Sequence, residues 1–124
     1  MIHHIDLAVS DLARSRAFYD QSLTPLGLRL VRHHRHPDGH EVLGFGVLPD
    51  PVFWIRNGRA PTPRLHVAFQ AASRDAVDAF HRAALAAGGV CNGPPGLRPR
   101  YAESYYAAFA LDPDGNNIEA VCRG

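Results

Sequence analysis

The chain has 124 residues, a length that suits one compact domain, and 46% of them are apolar, the usual share for a globular protein. Its 13 basic and 12 acidic residues leave a net charge of +1 with no charged block, so nucleic acid is not an indicated partner. No apolar run approaches the ~20 residues of a membrane span, and the two cysteines, Cys91 and Cys122, have neither a metal nor a redox spacing.

The opening "MIHHIDLAVSDL" has a strand pattern and no signal-peptide layout, so a reduced, cytoplasmic protein is the default expectation. Ile5, Leu7 and Val9 alternate with His4, Asp6 and Ala8, which predicts a strand with one apolar face. His3 falls on the face opposite His4 and reads as structural. Ser10 or Asp11 can cap a following helix by accepting from free N–H groups. Leu12, Tyr19, Leu23 and Leu26 give that helix a stripe, and Pro25 ends it near Thr24.

Three strands are predicted next, over Leu28 to His34, Glu41 to Val47 and Val52 to Arg56. "HPDGH" supplies the first turn, and the surrounding "RHHRHPDGH" reads as a solvent-exposed, His-rich hairpin. A fifth strand begins at His66, with Val67 and Phe69 opposing His66, Ala68 and Gln70. Ser73 caps a second helix, striped by Val77, Phe80, Ala84 and Ala87 and stopped at Gly88-Gly89. Strands follow over Val90 to Asn92, Tyr105 to Leu111 and Asn117 to Val121, with the Pro- and Gly-rich "NGPPGLRPRYAES" read as loop.

The two halves repeat. "HIDLAVSDLARSRAFYD" and "HVAFQAASRDAVDAFHR" start at His4 and His66, 62 positions apart, half the chain length, and Phe18 maps onto Phe80 at the same offset. The expectation is strand-helix-three strands, twice over: a first module of about residues 1–60 and a second of about residues 61–124. A module of that size cannot bury a sheet face alone, so the copies should pack together or pair with another chain.

The repeat places His4 and His66 at equivalent points, on strand faces turned away from the helices. In "DPDGNNIEAV", Glu119 shares its face with Asn117 and Val121. A carboxylate in an apolar strand is costly unless it is paired, hydrogen-bonded or metal-bound. Two imidazoles and one carboxylate make a facial ligand set for a divalent metal, with Fe, Mn, Ni and Zn all suited and positions left open for substrate.

The motifs "HIDLAVSDLARSRAFY", "HVAF" and "DPDGNNIE" make the chain resemble the vicinal oxygen chelate superfamily. That group includes glyoxalase I, extradiol dioxygenases, fosfomycin-resistance transferases and bleomycin-resistance proteins. The resemblance covers essentially the whole chain. It implies an α+β fold of two tandem βαβββ modules, whose curved mixed sheets form a cleft around a metal or ligand. It implies His4, His66 and Glu119 as metal ligands, with Glu119 also a possible catalytic base. It further implies a small-molecule substrate chelated through vicinal oxygens, and a homodimer in which His4 comes from one subunit and His66 with Glu119 from the other. Trp54 stands where glyoxalase I has a further carboxylate ligand. Because Trp offers no lone pair to a metal, the resemblance favours a glyoxalase-like lyase, dioxygenase or transferase over glyoxalase I itself. The alternative is a metal-free drug- or small-molecule-binding protein of the bleomycin-resistance type. Trp54, Tyr101, Tyr105 and Tyr106 are the expected substrate-binding residues on either reading.

Overall fold

The computed structural model describes residues 1–124. Its elements run β1 (Ile5–Val9), α1 (Leu12–Leu23), a 3-10 turn (Thr24–Leu26), β2 (Arg29–Arg35), β3 (Glu41–Val47) and β4 (Asp50–Asn57). Then come β5 (His66–Gln70), α2 (Arg74–Ala86), β6 (Val90–Leu97), β7 (Tyr105–Leu111) and β8 (Asn117–Arg123). This is the expected α+β fold of tandem βαβββ modules. Each module forms a four-stranded mixed sheet, ordered β1-β4-β3-β2 in the first and β5-β8-β7-β6 in the second. In both, the first strand runs parallel to the last and the remaining pairs are antiparallel. Within one chain the two sheets stay separate.

The helix starts follow local chemistry. Asp11 and Ser73 are the N-caps, each accepting from the backbone N–H three residues on. Leu23 is the last residue of α1; the chain then tightens into the 3-10 turn around Pro25 and leaves it through Gly27 at φ +84°. Val77, Phe80 and Ala84 are fully buried along α2, as their spacing predicts.

The apolar faces of both modules share one core of 19 buried residues. The repeat partners Phe18 and Phe80 are both fully buried in it, and Phe53 of the first sheet meets Phe69 of the second edge-on at 5.3 Å. The modules therefore do pack together, apolar side to apolar side, and their opposite faces turn to solvent. Gly89, just past the end of α2, allows a close approach between the modules. A Cβ there would lie 2.6 Å from Phe18 Cε1 and 2.8 Å from the Ala84 carbonyl oxygen.

β2, β4 and β8 differ from expectation by one or two residues at their ends, and two further boundaries differ in ways that matter. β6 continues from Asn92 to Leu97, through Pro94 and Pro95. It is an edge strand, where residues without an N–H cost no ladder bond, and its register against β7 shifts twice. β1 starts at Ile5, so His3 and His4 precede the strand and the alternation does not govern them.

Candidate functional site

The turn between β7 and β8 builds the site's floor. Asp112 is buried; its Oδ1 accepts from the backbone N–H of Asp114 (3.0 Å) and Asn116 (2.8 Å). Its Oδ2 accepts from the Tyr19 hydroxyl of α1 at 2.5 Å and from Asn116 Nδ2 at 3.0 Å. Burial, then the charge of Asp112, holds the Tyr19 phenol pKa well above its ordinary value. Gly115 takes the left-handed conformation that closes the turn (φ +87°). Asn116 Oδ1 in turn accepts from Leu65 N at 2.9 Å, and Asn117 N donates to Leu65 O at 2.9 Å. One turn thus fixes both the residue before His66 and the start of the strand that carries Glu119.

Beyond that turn β8 runs beside β5, with His66 opposite Asn117 and Ala68 opposite Glu119. Glu119 is 2% exposed, while the His66 side chain above it is 54% exposed. His66 Nε2 lies 2.8 Å from Glu119 Oε1, and the Tyr105 hydroxyl donates to Oε2 at 2.5 Å. No arginine lies within ion-pair distance of this carboxylate; His66 is its only basic partner. Burial, then the bond to Glu119, pushes the Tyr105 phenol pKa up to about 12, so it remains a donor at neutral pH. A recess of about 520 Å³ lies on the same face, lined by Gln70, Ser104 and Arg123 among others. A second, of about 260 Å³, lies at the His66 end between Asn117, Phe109, Arg98 and Arg100.

His4 lies on the first module, apart from this pair. Its Nδ1 is 2.8 Å from Nδ1 of His3, and both rings line a recess of about 390 Å³ with Asp6 and Trp54. His3 therefore shares the recess with His4, contrary to the reading that set it on the opposite face. Trp54 sits opposite Asp6 in the strand register, and its ring stacks on His34 at 6.3 Å. Asp6 accepts from Arg56 Nε at 3.0 Å. No three His, Cys, Asp or Glu side chains of one chain converge as a metal-binding group.

The predicted tyrosines separate. Tyr105 contacts the site directly, and Tyr101 packs on it edge-on at 5.2 Å. Tyr106 points the other way and donates to Asp78 of α2 at 2.7 Å, so it does not line this face. Strand alternation sends adjacent side chains to opposite faces. The direct Tyr105–Glu119 bond, and the Asp6–Arg56 pair beside His4, were not foreseen. The first had a signal: counting outward from the Asp112–Asn116 turn pairs Phe109 with Glu119 and puts Tyr105 on the same face. In the hairpin, His33 is bonded to Glu41 at 2.7 Å, and the His36 and His40 rings lie 5.5 Å apart.

A mixed-sheet pair of βαβββ modules with a buried glutamate under a histidine is a class of fold and site in its own right. The chain belongs to the Glyoxalase/Bleomycin resistance protein/Dioxygenase superfamily, whose family model matches residues 1–120. It is 34% identical to a glyoxalase/bleomycin resistance protein from Albidiferax ferrireducens T118, covering 98% of this chain and 97% of that one with a TM-score of 0.75. Two more distant structures share the fold. One is a mutant glyoxalase I from Zea mays (24% identity, TM-score 0.74), where 97% of this chain matches only 46% of that one. The other is a mutant of the fosfomycin resistance protein FosX from Listeria monocytogenes, complexed with Mn(II) and 1S,2S-dihydroxypropylphosphonic acid. It is 20% identical, covers 98% of this chain and 88% of that one, and has a TM-score of 0.69. No protein of curated function matches the chain.

Proposed function

We propose that the chain is a glyoxalase-like, divalent-metal enzyme acting on a small substrate that presents two adjacent oxygens. The observation that carries this reading is Glu119: buried, aimed at His66, and without a cation of its own. A buried carboxylate whose only basic partner is an imidazole is the donor chemistry a divalent cation suits. His66 and Glu119 would hold the metal, with Fe, Mn, Ni or Zn acceptable to these donors. His4 would complete the set from a second copy of the chain, since in one chain it lies on the other module.

When bound, such a cation supplies Lewis-acid stabilisation of an enolate or oxyanion developing on the substrate. The protein's own groups do the rest. Tyr105 holds Oε2 of Glu119 and leaves Oε1 as the oxygen for ligation or proton exchange. Trp54 walls the recess beside His4, and Tyr101 braces Tyr105. Isomerisation or lyase chemistry, ring-opening dioxygenation and group transfer all fit this arrangement.

The test is metal analysis of protein purified without an affinity tag. About one Fe, Mn, Ni or Zn per chain is expected, lost in His66→Ala and in Glu119→Ala. Folded protein that takes up no metal from an excess of these ions would sink the proposal. The second reading, a metal-free binding protein of the bleomycin-resistance type, draws on the same geometry. Both Glu119 oxygens already have hydrogen-bond partners, and Trp54 lines a recess of about 390 Å³ where its ring could pack on a ligand.

A further inference from the structure

Cys91 and His81 form a pair on the opposite side of the second sheet, used neither by the core nor by the site above. β6 is the sheet's outer edge, and its register against β7 slips between Cys91 and Gly93. Bulges of this kind re-aim side chains. Here Asn92 turns to the ligand-bearing face, where its Nδ2 donates to Asn117 Oδ1 at 3.1 Å. Cys91, opposite buried Ala110, turns toward α2. Its Sγ lies 3.2 Å from Nε2 of His81, yet Cys91 is exposed. Burial holds the His81 pKa below its ordinary value, against the pull of Asp78 one turn earlier. The ring is therefore neutral at pH 7, and with its proton on Nδ1 it presents a lone pair to the thiol. His81 and Cys91 thus stand as base and nucleophile, with the thiol open to solvent. Cys122 is the contrast: buried in the core cluster, with no hydrogen bond.

We propose that Cys91 is a reactive thiol, with His81 as its base, that takes up small disulfides as a mixed disulfide. The thiol proton passes to His81 Nε2, and the Cys91 sulfur attacks one sulfur of the disulfide. A new Sγ–S bond forms as the old S–S bond breaks, and the departing thiolate recovers the proton from His81. The sum is one protein thiol plus one disulfide giving one mixed disulfide plus one small thiol, and a second thiol reverses it. The only co-reactant needed is the small disulfide.

The probe is 5,5′-dithiobis(2-nitrobenzoic acid), an aromatic disulfide whose released thiolate is read by absorbance, applied in excess to the folded, intact chain at pH 7. One thiol per chain should react promptly; the reaction should vanish in Cys91→Ser and persist in Cys122→Ser. His81→Ala should slow it by about a hundredfold, the low end of general-base effects. Added imidazole should restore much of the rate to His81→Ala and none to Cys91→Ser, a rescue that a merely structural role would not give. Equal rates in wild type and His81→Ala, or a slowed variant that imidazole does not rescue, would overturn the proposal. If His81→Ala does not fold, the wild type decides alone: a Cys91 no faster than N-acetylcysteine at the same pH overturns it.

Discussion

Glu119 is the residue on which the site depends, and Tyr105 is what keeps it in place. The phenol satisfies Oε2 and the imidazole meets Oε1, so neither carboxylate oxygen is left bare in a buried position. Removing the phenol's hydroxyl strands one acceptor, at a cost of about 1–3 kcal/mol. Tyr105→Phe should therefore lower unfolding stability by that amount in urea. Metal affinity should fall about 10- to 100-fold, as when outer partners of metal ligands are lost, which a competitive chelator titration would read. Tyr19 sets a second expectation. Its folded pKa lies well above the value near 10 of an unfolded tyrosine, so above that pH the unfolded chain sheds a proton the folded one keeps. Its contribution to stability is full below about pH 10 and declines as pH rises beyond it. Denaturant midpoints measured from pH 8 upward should show that decline, and Tyr19→Phe should flatten it.

At the scale of elements, the turn from Asp112 to Asn116 does more than reverse the chain. Asn116 is fully buried and bridges Asp112 and the backbone before His66. Asn116→Ala should cost about 1–3 kcal/mol, and on the proposed reading it should also weaken metal uptake although no proposed ligand is changed. The junction of α2 with the first module makes a sharper demand. Gly89→Ala drives a methyl into Phe18 and the Ala84 carbonyl, so a loss of about 1–3 kcal/mol in urea unfolding is expected.

Most of the elements were legible in the sequence because their signals are local: two capped helices, alternating strands, and a 62-residue repeat. β3 and β7 match expectation to the residue. Pro94 and Pro95 hid the length of β6, because whether a strand tolerates proline depends on its lying at an edge, which is a tertiary fact. The site was legible by residue type but not by contact. Strand alternation separates Tyr105 from Tyr106, but the partner each one finds, Glu119 or Asp78, lies on another element and is a tertiary fact. His3 was misplaced because strand alternation was extended two residues beyond where the strand begins.

For the whole molecule the decisive feature is that the faces carrying His4 and the His66–Glu119 pair both point away from the shared core. On the proposed reading, His4 of one copy meets His66 and Glu119 of another. Mixing His4→Ala with His66→Ala chains then gives a clear expectation. Neither variant alone should retain a complete site. Random re-pairing puts half the chains into mixed dimers, each with one intact site, so about a quarter of wild-type metal capacity should return. Capacity that stays at zero after verified subunit exchange would show that the ligands are not shared in this way.

On the proposed reading, the same outward arrangement would make the metal a messenger about concentration. If three donors can be gathered only from two chains, every ion bound counts as one encounter kept. Dilution should then shed metal, and metal should in turn hold diluted chains together, each to the same degree by linkage. Such a protein would measure its own abundance through the ion it carries.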